Sequence, residues 1–289
     1  MVSRVGITLV ILLCGIGSAP AQVVRFETSI GDFDMVLNPT NNPRLEAHAD
    51  NMLQYVENGN YNTSWINRAD VSNGQNFVLQ MGGFYSHTRR PPLTIDSTRP
   101  VATFEPVEGE PAATFDGLSN TIGTVALALP GLPTGGTNQD AGTSSFFINL
   151  ASNTFLDADF TVFAVIPDMS VVNEIMALMK VDRTTDPLFG AGPGNLAFTD
   201  VPLMDNGQQV FIQRAFAVED AMAVAQAMAG ARSALALSAA SASGGASSSS
   251  SAVASSVVPE PASFVLALLG MSPIVCHCLR RNKGPRHRQ

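Results

Sequence analysis

The stretch that decides the fold class is Val23-Val24-Arg25-Phe26-Glu27-Thr28-Ser29, in which apolar and polar side chains alternate. Gly31-Asp32 follows, and the alternation resumes in Phe33-Asp34-Met35-Val36-Leu37. Because apolar and polar side chains alternate, each run has one apolar face that can pack against a core. The Gly-Asp between the two runs is typical of a tight connection. The sequence therefore predicts a β-hairpin at the start of a mainly β domain.

Helical periods occur in two later segments, residues 43–58 and residues 169–179. Each segment places its apolar side chains near one face, and Gly59 ends the first. The members of the two faces are Leu45, Met52, Leu53 and Val56, and then Val172, Ile175, Met176 and Met179. The other apolar runs are short and bounded by Gly, Pro and Asn, which favours strands at residues 77–81, 124–129, 145–150, 160–166 and 209–216. Many short strands with two helices predict an antiparallel barrel or sandwich capped by helices.

The charge is distributed unevenly along the 289 residues, whose net charge is −8. Residues 22–219 hold nine basic and 22 acidic side chains, a net −13, whereas the last ten residues hold five bases and no acid. A surface that follows phosphates needs clustered Lys and Arg. Residues 22–219 are thus expected to form one domain that does not bind nucleic acid.

Cysteine and histidine are scarce in that domain. Cys14, Cys276 and Cys278 all lie in the two terminal apolar segments, and only His48 and His87 lie within residues 22–219. A zinc site needs three or four such ligands in close spacing. The sequence predicts no disulfide, no metal and no cofactor in the domain.

The N-terminal residues 1–21 carry Arg4, an apolar run over residues 5–16, and Ala19-Pro20-Ala21. This order is typical of a signal peptide that is cleaved after Ala21. The alternative is a membrane anchor, but a helix needs about 20 apolar residues to cross a bilayer and this run is shorter. We expect export.

A linker of Ala, Ser, Gly and Met occupies residues 220–257. Such a composition buries too little surface to offset the entropy of ordering the chain, which predicts a disordered stalk. The alternative, a packed Ala-rich helix that completes the domain, applies best to residues 220–231.

The C-terminal residues 258–289 combine Pro259-Glu260-Pro261 with an apolar run over residues 264–279 and a tail that contains Arg280, Arg281 and Lys283. This order resembles the PEP-CTERM sorting signal of Gram-negative and related bacteria. The resemblance implies export to the periplasm, cell envelope or surface, transient membrane retention, and processing by an exosortase-type enzyme. An uncut C-terminal anchor is the alternative.

Several blocks between residues 22 and 219 resemble, in order, those of cyclophilin-type peptidyl-prolyl isomerases. The first is the hairpin described above, and the second is the helix around Ala49-Asp50-Asn51-Met52. The later blocks are Trp65-Ile66-Asn67-Arg68, Phe77-Val78-Leu79-Gln80-Met81-Gly82-Gly83, Ser144-Ser145-Phe146-Phe147-Ile148, Phe155-Leu156-Asp157 and Thr161-Val162-Phe163-Ala164. The resemblance implies an eight-stranded closed antiparallel barrel with a helix over each end.

The same resemblance implies a site and a reaction. It assigns catalysis to Arg68, Phe77, Gln80 and Phe147, and substrate binding to Val78, Ala128, Leu129, Ser145, Phe155, Leu156 and Phe160. Rotation about an X-Pro bond faces a barrier of about 18–20 kcal/mol because the nitrogen lone pair is delocalised into the carbonyl. An Arg that donates to the prolyl nitrogen stabilises the twisted amide more than the planar one, and no metal or nucleophile is needed.

The chain departs from the family pattern at residues 69–76, which are mostly polar and make the connection about four residues longer than the usual loop. We expect a solvated excursion there. Asn67 stands in place of a His, Ser145 in place of a substrate-binding Gln, and Met81 as an extra residue. Fewer polar contacts to substrate imply slower turnover or an altered pocket.

Three functions are compatible with these residues. The first is an exported isomerase that acts on proline-containing peptides or unfolded proteins. The second is a weakly active or inactive proline-peptide-binding module on the cell surface, and the third is a structural surface protein. Retention of Arg68 with Phe77, Gln80 and Phe147 favours the first two functions, because a protein with only a structural role needs no Arg at that position.

Overall fold

The structure is a computed structural model that describes residues 22–72, 74–86, 98–111, 117–131, 136–186 and 196–244. The signal peptide predicted at residues 1–21 and the sorting segment predicted at residues 258–289 lie outside the described residues. Among the helices of the described part, none is long and apolar enough to cross a bilayer.

The strands that the structure contains are mostly short. Their bounds are β1 Val23–Thr28, β2 Asp32–Leu37, β3 Arg68–Ser72, β4 Gln75–Met81, β5 Phe84–Ser86, β6 Thr98–Pro100, β7 Thr124–Leu127, β8 Phe146–Asn149, β9 Val162–Val165, β10 Met179–Val181, β11 Val201–Leu203 and β12 Ile212–Ala217. Eight of them form one antiparallel sheet in the order β12-β1-β2-β9-β7-β8-β4-β3. The mainly β prediction is confirmed, and each apolar run predicted as a strand overlaps one.

The opening hairpin is formed by β1 and β2, with Phe26 opposite Phe33. The alternation of side chains holds: Phe26 and Met35 are fully buried, whereas Asp32 is exposed. Phe26 stacks on Phe33 at 5.2 Å between ring centroids and contacts the Phe146 ring at 5.5 Å. This hairpin therefore builds one wall of the main core.

The closed barrel that the resemblance implied is not confirmed, because β12 and β3 are the two edges of an open sheet. The edges approach each other only through the irregular residues before β3. There Ile66 N donates to Val210 O at 2.9 Å, and Trp65 bridges Phe211. The sheet curls, but the edge of β3 is occupied instead by the backbone around Asp200, whose carbonyl accepts from Ala69 N at 2.8 Å.

Two helices pack on the main core, as the sequence predicts. Helix α1, Glu46–Glu57, buries Met52 and Tyr55, and it is followed by Gly59 at φ +65. Helix α2, Ser170–Ala177, buries Val172 and Ile175. Met179 does not belong to the buried stripe, because the chain turns into β10 there and leaves its side chain 64% exposed.

A third helix, α3, spans Ala221–Gly244 and corrects the prediction of a disordered linker over those residues. Ala227 and Ala231 are buried against Val23, Val36 and Val165 on the outer side of the sheet. Small side chains let the helix approach closely: a Cβ on Gly230 would lie 2.8 Å from Pro167. The Ala-rich composition lacks bulk but forms a flat face that fits the sheet. Residues 245–257 of the predicted linker lie outside the described residues.

Candidate active site

The candidate site is organised by strand register. Arg68 on β3 pairs with Gln80 on β4, which pairs with Phe147 on β8, which pairs with Ala126 on β7. Successive side chains of a strand point to opposite faces. The row therefore lies on the face opposite to Phe146, whose ring is in the core. Strand spacing of about 4.8 Å places Arg68 and Phe147 roughly 10 Å apart at their Cα atoms.

Residues 69–72 and 74–76 are an ordered segment, and its tip is solvated as the sequence predicts: Gly74, Gln75 and Asn76 are exposed. The segment extends β3 and β4 into a hairpin in which Ser72 pairs with Gln75 and Val71 with Asn76. Gly74, at φ +75, supplies the left-handed backbone of the connection. The added residues lie beyond the Arg68–Gln80 pair, so the longer segment leaves that pair in register.

Arg68 is buried, with 3% of its surface exposed. Its Nη2 lies 2.6 Å from Asp70 Oδ2, and its Nε donates to Thr199 Oγ1 at 3.2 Å. Burial lowers the pKa of Arg68 against the opposing effects of Asp70 and Asp200. Burial also raises the pKa of Asp70, and Arg68 only partly counters it. Attraction within this pair does not fully offset the cost of removing both charges from water.

Gln80 lies beside Arg68 and has one acceptor without a partner. Its Nε2 donates to Ser145 Oγ at 3.3 Å, and Ser145 Oγ donates to Met81 O at 3.4 Å. Gln80 Oε1 is buried with no hydrogen-bond partner. A buried amide oxygen in this state favours a donor such as a peptide N–H.

Aromatic rings form the apolar part of the site. The Phe147 ring meets Phe160 edge-on at 5.5 Å, and Phe77 stacks on Phe155 at 6.0 Å. Of the predicted site residues only Phe155, 47% exposed, presents a large surface. The remaining members of the set are buried: Val78, Ala128, Ser145, Leu156 and Phe160.

A buried amide network supports the short 3-10 helix Thr154–Ala158 that carries Phe155 and Leu156. Asn149 Nδ2 donates to Asn120 Oδ1 at 3.0 Å, Asn153 Nδ2 donates to Asn149 Oδ1 at 2.8 Å, and Asn120 Nδ2 donates to Asp157 Oδ1 at 2.9 Å. Asn120, Asn149 and Asn153 were not predicted as residues that support the site. An Asn within an apolar strand was the available signal, because a buried amide must be hydrogen bonded.

Leu129 does not join the other predicted site residues. Two positions after Leu127, it lies on the other face of the sheet. There it lines a small cavity with His48, Leu127 and Gly142. The physical reason is that successive side chains of extended backbone point to opposite faces. Ala126 and Ala128 lie on the face of Phe147, so the side chain of Leu129 points to the other face.

Asp70 and Thr199 are two further residues at the site that the sequence analysis did not identify. Asp70 follows Arg68 by two positions on one strand, and the Asn73-Gly74 dipeptide was a signal for that hairpin. Thr199 has no comparable signal, since it is 131 positions from Arg68. Over the described residues, no three His, Cys, Asp or Glu side chains are grouped as metal ligands.

The chain is similar to known proteins of one family. The family described as cyclophilin type peptidyl-prolyl cis-trans isomerase/CLD matches residues 23–189. A peptidyl-prolyl cis-trans isomerase of Acinetobacter baylyi is 33% identical over 181 residues, which are 61% of this chain and 82% of the relative. Peptidyl-prolyl cis-trans isomerase B of Escherichia coli is 32% identical over 162 residues, which are 53% of this chain and 83% of the relative. A crystal structure of a cyclophilin type isomerase of Cryptosporidium parvum is 17% identical with a TM-score of 0.43, and the alignment covers 69% of this chain and 99% of that one.

Proposed function

We infer the function from the premise that the chain belongs to the cyclophilin-type peptidyl-prolyl cis-trans isomerase family, whose model matches residues 23–189. The chain is a peptidyl-prolyl cis-trans isomerase. Beyond this, we propose that it acts on proline-containing segments of exported proteins, with Arg68 stabilising the twisted prolyl amide. The observation that carries the proposal is the row Arg68–Gln80–Phe147.

The row matches what the reaction requires. A proline ring held against Phe147 directs its nitrogen toward Arg68, across the width of the β4 strand between them. When the amide twists, its nitrogen regains a lone pair, and the guanidinium donates to it. A donor that hydrogen bonds to the prolyl nitrogen in the twisted state and not in the planar state lowers the barrier to rotation.

Gln80 and the aromatic residues have binding roles in this proposal. Gln80 Oε1, which lacks a partner, accepts from a substrate N–H. Phe147, Phe160 and Leu156 receive the proline ring, and Phe155 offers an exposed face to the flanking residue. Phe77, Val78, Ala128 and Ser145 keep these groups in place from the neighbouring strand positions.

A protease-coupled assay with a proline peptide tests the proposal. The wild-type domain should accelerate isomerisation, and Phe155→Ala should weaken binding without unfolding the chain, since that ring is half exposed. Arg68→Lys keeps the charge but removes the planar donor, and we expect it to lose about 10²–10³ in rate. Unchanged turnover in Arg68→Lys would contradict the assigned mechanism.

A second candidate is favoured by the burial of Arg68, Gln80 and Phe147. A weakly active module that chiefly binds proline peptides needs the apolar pocket but little access to the arginine. Titration of a proline peptide by NMR separates the two, because exchange between cis and trans signals reports turnover and shifts report binding. Binding without exchange would favour the module.

We propose further that the protein is exported and acts in the periplasm, cell envelope or at the surface. The support is the pair of terminal sequences at residues 1–21 and 258–289, the second of which is a candidate substrate of an exosortase-type enzyme. Intact-mass measurement of the native protein is the test. Retention of both segments would contradict processing, and recovery in the cytoplasm would contradict export.

A further inference from the structure

A segment that follows the family match packs directly on the strand of the candidate arginine. We call residues 196–203 the arm; the family match ends at residue 189. The arm contacts three consecutive residues. Asn67 Nδ2 donates to Ala197 O at 2.9 Å, Arg68 Nε donates to Thr199 Oγ1 at 3.2 Å, and Ala69 N donates to Asp200 O at 2.8 Å.

The arm is held by a hydrophobic cluster of its own. Phe198 stacks on Trp65 with ring centroids 5.7 Å apart and planes 16° apart, and both rings are fully buried. Val201, Leu203 and Phe211 complete the cluster. Burying two aromatic rings contributes several kcal/mol, so the arm is fixed to β3 and cannot be a loosely attached loop.

Thr199 is oriented within the arm. Its hydroxyl donates to Leu196 O at 3.2 Å, which leaves the lone pairs of Oγ1 to accept from Arg68 Nε. On the other side, Asp70 Oδ2 accepts from Arg68 Nη2 at 2.6 Å. The Nε–H and one Nη2–H of a guanidinium lie on the same edge of its plane. Asp70 and Thr199 therefore hold one edge of the Arg68 side chain together.

We propose that Asp70 and Thr199 are positioning residues that set the rotation of the Arg68 guanidinium for the isomerase reaction. This inference rests on the proposed function of Arg68. Preorganised donors lower a barrier because they need no reorientation when charge develops. With that edge held, the guanidinium plane cannot rotate about its bonds, and the directions of its other N–H groups are constant.

Thr199 offers the cleaner test, because its variants change no charge. Thr199→Val removes the hydroxyl at nearly the same volume, and Thr199→Ser keeps it. We expect Thr199→Val to lower kcat/KM about tenfold, because displacement of the Arg68 guanidinium by a fraction of an ångström is enough for such an effect. This loss is smaller than the one expected when Arg68 itself is replaced. Thr199→Ser should match the wild type. Affinity for a proline peptide, measured by titration, should change less than about twofold in both, because the apolar pocket binds the ring.

Asp70→Asn supplies a readout that a merely structural residue would not change. The groups that face Asp70 are Arg68 on its own strand and Asp200 on the arm, and burial raises the pKa of Asp70. In the wild type, kcat/KM should fall as acidification protonates Asp70 and the ion pair is lost. In Asp70→Asn, kcat/KM should be lower at neutral pH and should lack this acid limb. Asp34→Asn removes the more exposed ion pair with Arg25, between β1 and β2, and serves as the control for the loss of a carboxylate partner of an arginine, with unchanged kinetics.

The outcomes distinguish this inference from the proposed function. An active wild type, an inactive Arg68→Lys and unchanged Thr199→Val and Asp70→Asn would overturn the positioning role and leave the function of Arg68 standing. Faster turnover in Asp70→Asn would also overturn the positioning role, because it would show that the Asp70 carboxylate slows the reaction by partly neutralising the charge of Arg68. No acceleration by the wild type would overturn the proposed function and the positioning role together.

Discussion

The Arg68–Asp70 pair allows catalysis and stability to be separated by two variants. From sequence alone, Arg68→Ala is expected to remove most of the activity and leave the fold intact. The structure changes the second expectation. Arg68→Leu leaves the Asp70 carboxylate, whose side chain is 10% exposed, without its partner and near Asp200. The double variant Arg68→Leu/Asp70→Leu removes both charges and keeps apolar volume in their place.

The expected magnitudes follow from burial. Removing one partner of a buried ion pair costs about 3–5 kcal/mol, whereas replacing both with apolar side chains is neutral or stabilising by about 1–4 kcal/mol. Burial shifts the pKa of Arg68 down and that of Asp70 up, so both partners are displaced toward their uncharged forms. The pair therefore adds little net stability. For a domain of this size, about 3–5 kcal/mol lowers Tm by roughly 6–20 °C.

Thermal unfolding and the protease-coupled assay measure the two effects on the same samples. Both variants should lose about 10²–10³ in rate. Only Arg68→Leu should be destabilised, and its deficit should shrink at acidic pH, where Asp70 is protonated. Equal Tm values for Arg68→Leu and the wild type would show that the pair is not buried as described. Activity in the double variant would refute the role of Arg68.

Three further predictions concern other parts of the fold. Phe147→Ala should lower the free energy of unfolding by about 3–5 kcal/mol and weaken peptide binding, measured by denaturant unfolding and titration. A stable variant with normal affinity would contradict the proposal that Phe147 receives the proline ring. Burial lowers the pKa of His48 to about 4, so the stability it contributes is complete above pH 6.5 and about 3 kcal/mol is lost as pH falls toward 4. His48→Leu should remove that part of the pH dependence of unfolding, and an unchanged profile would count against it. Ala231→Glu should release α3 from the sheet and speed its cleavage in limited proteolysis, while equal resistance to protease would argue that α3 does not pack there.

The periodic segments were predictable because their signals are local. Alternation identified the opening hairpin, and helical spacing identified α1 and α2, each of which buries an apolar face against the same core. The strand that contains Gln80 and the strand that contains Phe147 were likewise apparent as short apolar runs. Composition was a poorer guide than pattern: the Ala-rich residues 221–244, predicted as a disordered stalk, form helix α3, and the solvated segment after Arg68 is an ordered hairpin.

The site was predictable in part. The identities of Arg68, Gln80 and Phe147 came from the order of short sequence blocks, and the β pairing aligns them because Arg68 and Gln80 remain opposite each other despite the longer hairpin. Leu129 was included because of the family resemblance, but its side chain lines the small cavity with His48 and Leu127.

The sequence by itself determined the class of the domain, the family to which it belongs and most of its strands, since each depends on the order of residues over short distances. Only the tertiary structure decided that the sheet is open, that α3 covers its outer side and that the arm lies on Arg68. The contact between Arg68 and Thr199 joins residues 131 positions apart, and it exists because Phe198 stacks on Trp65. Such contacts depend on how distant apolar groups pack together, and no local pattern of residues encodes them.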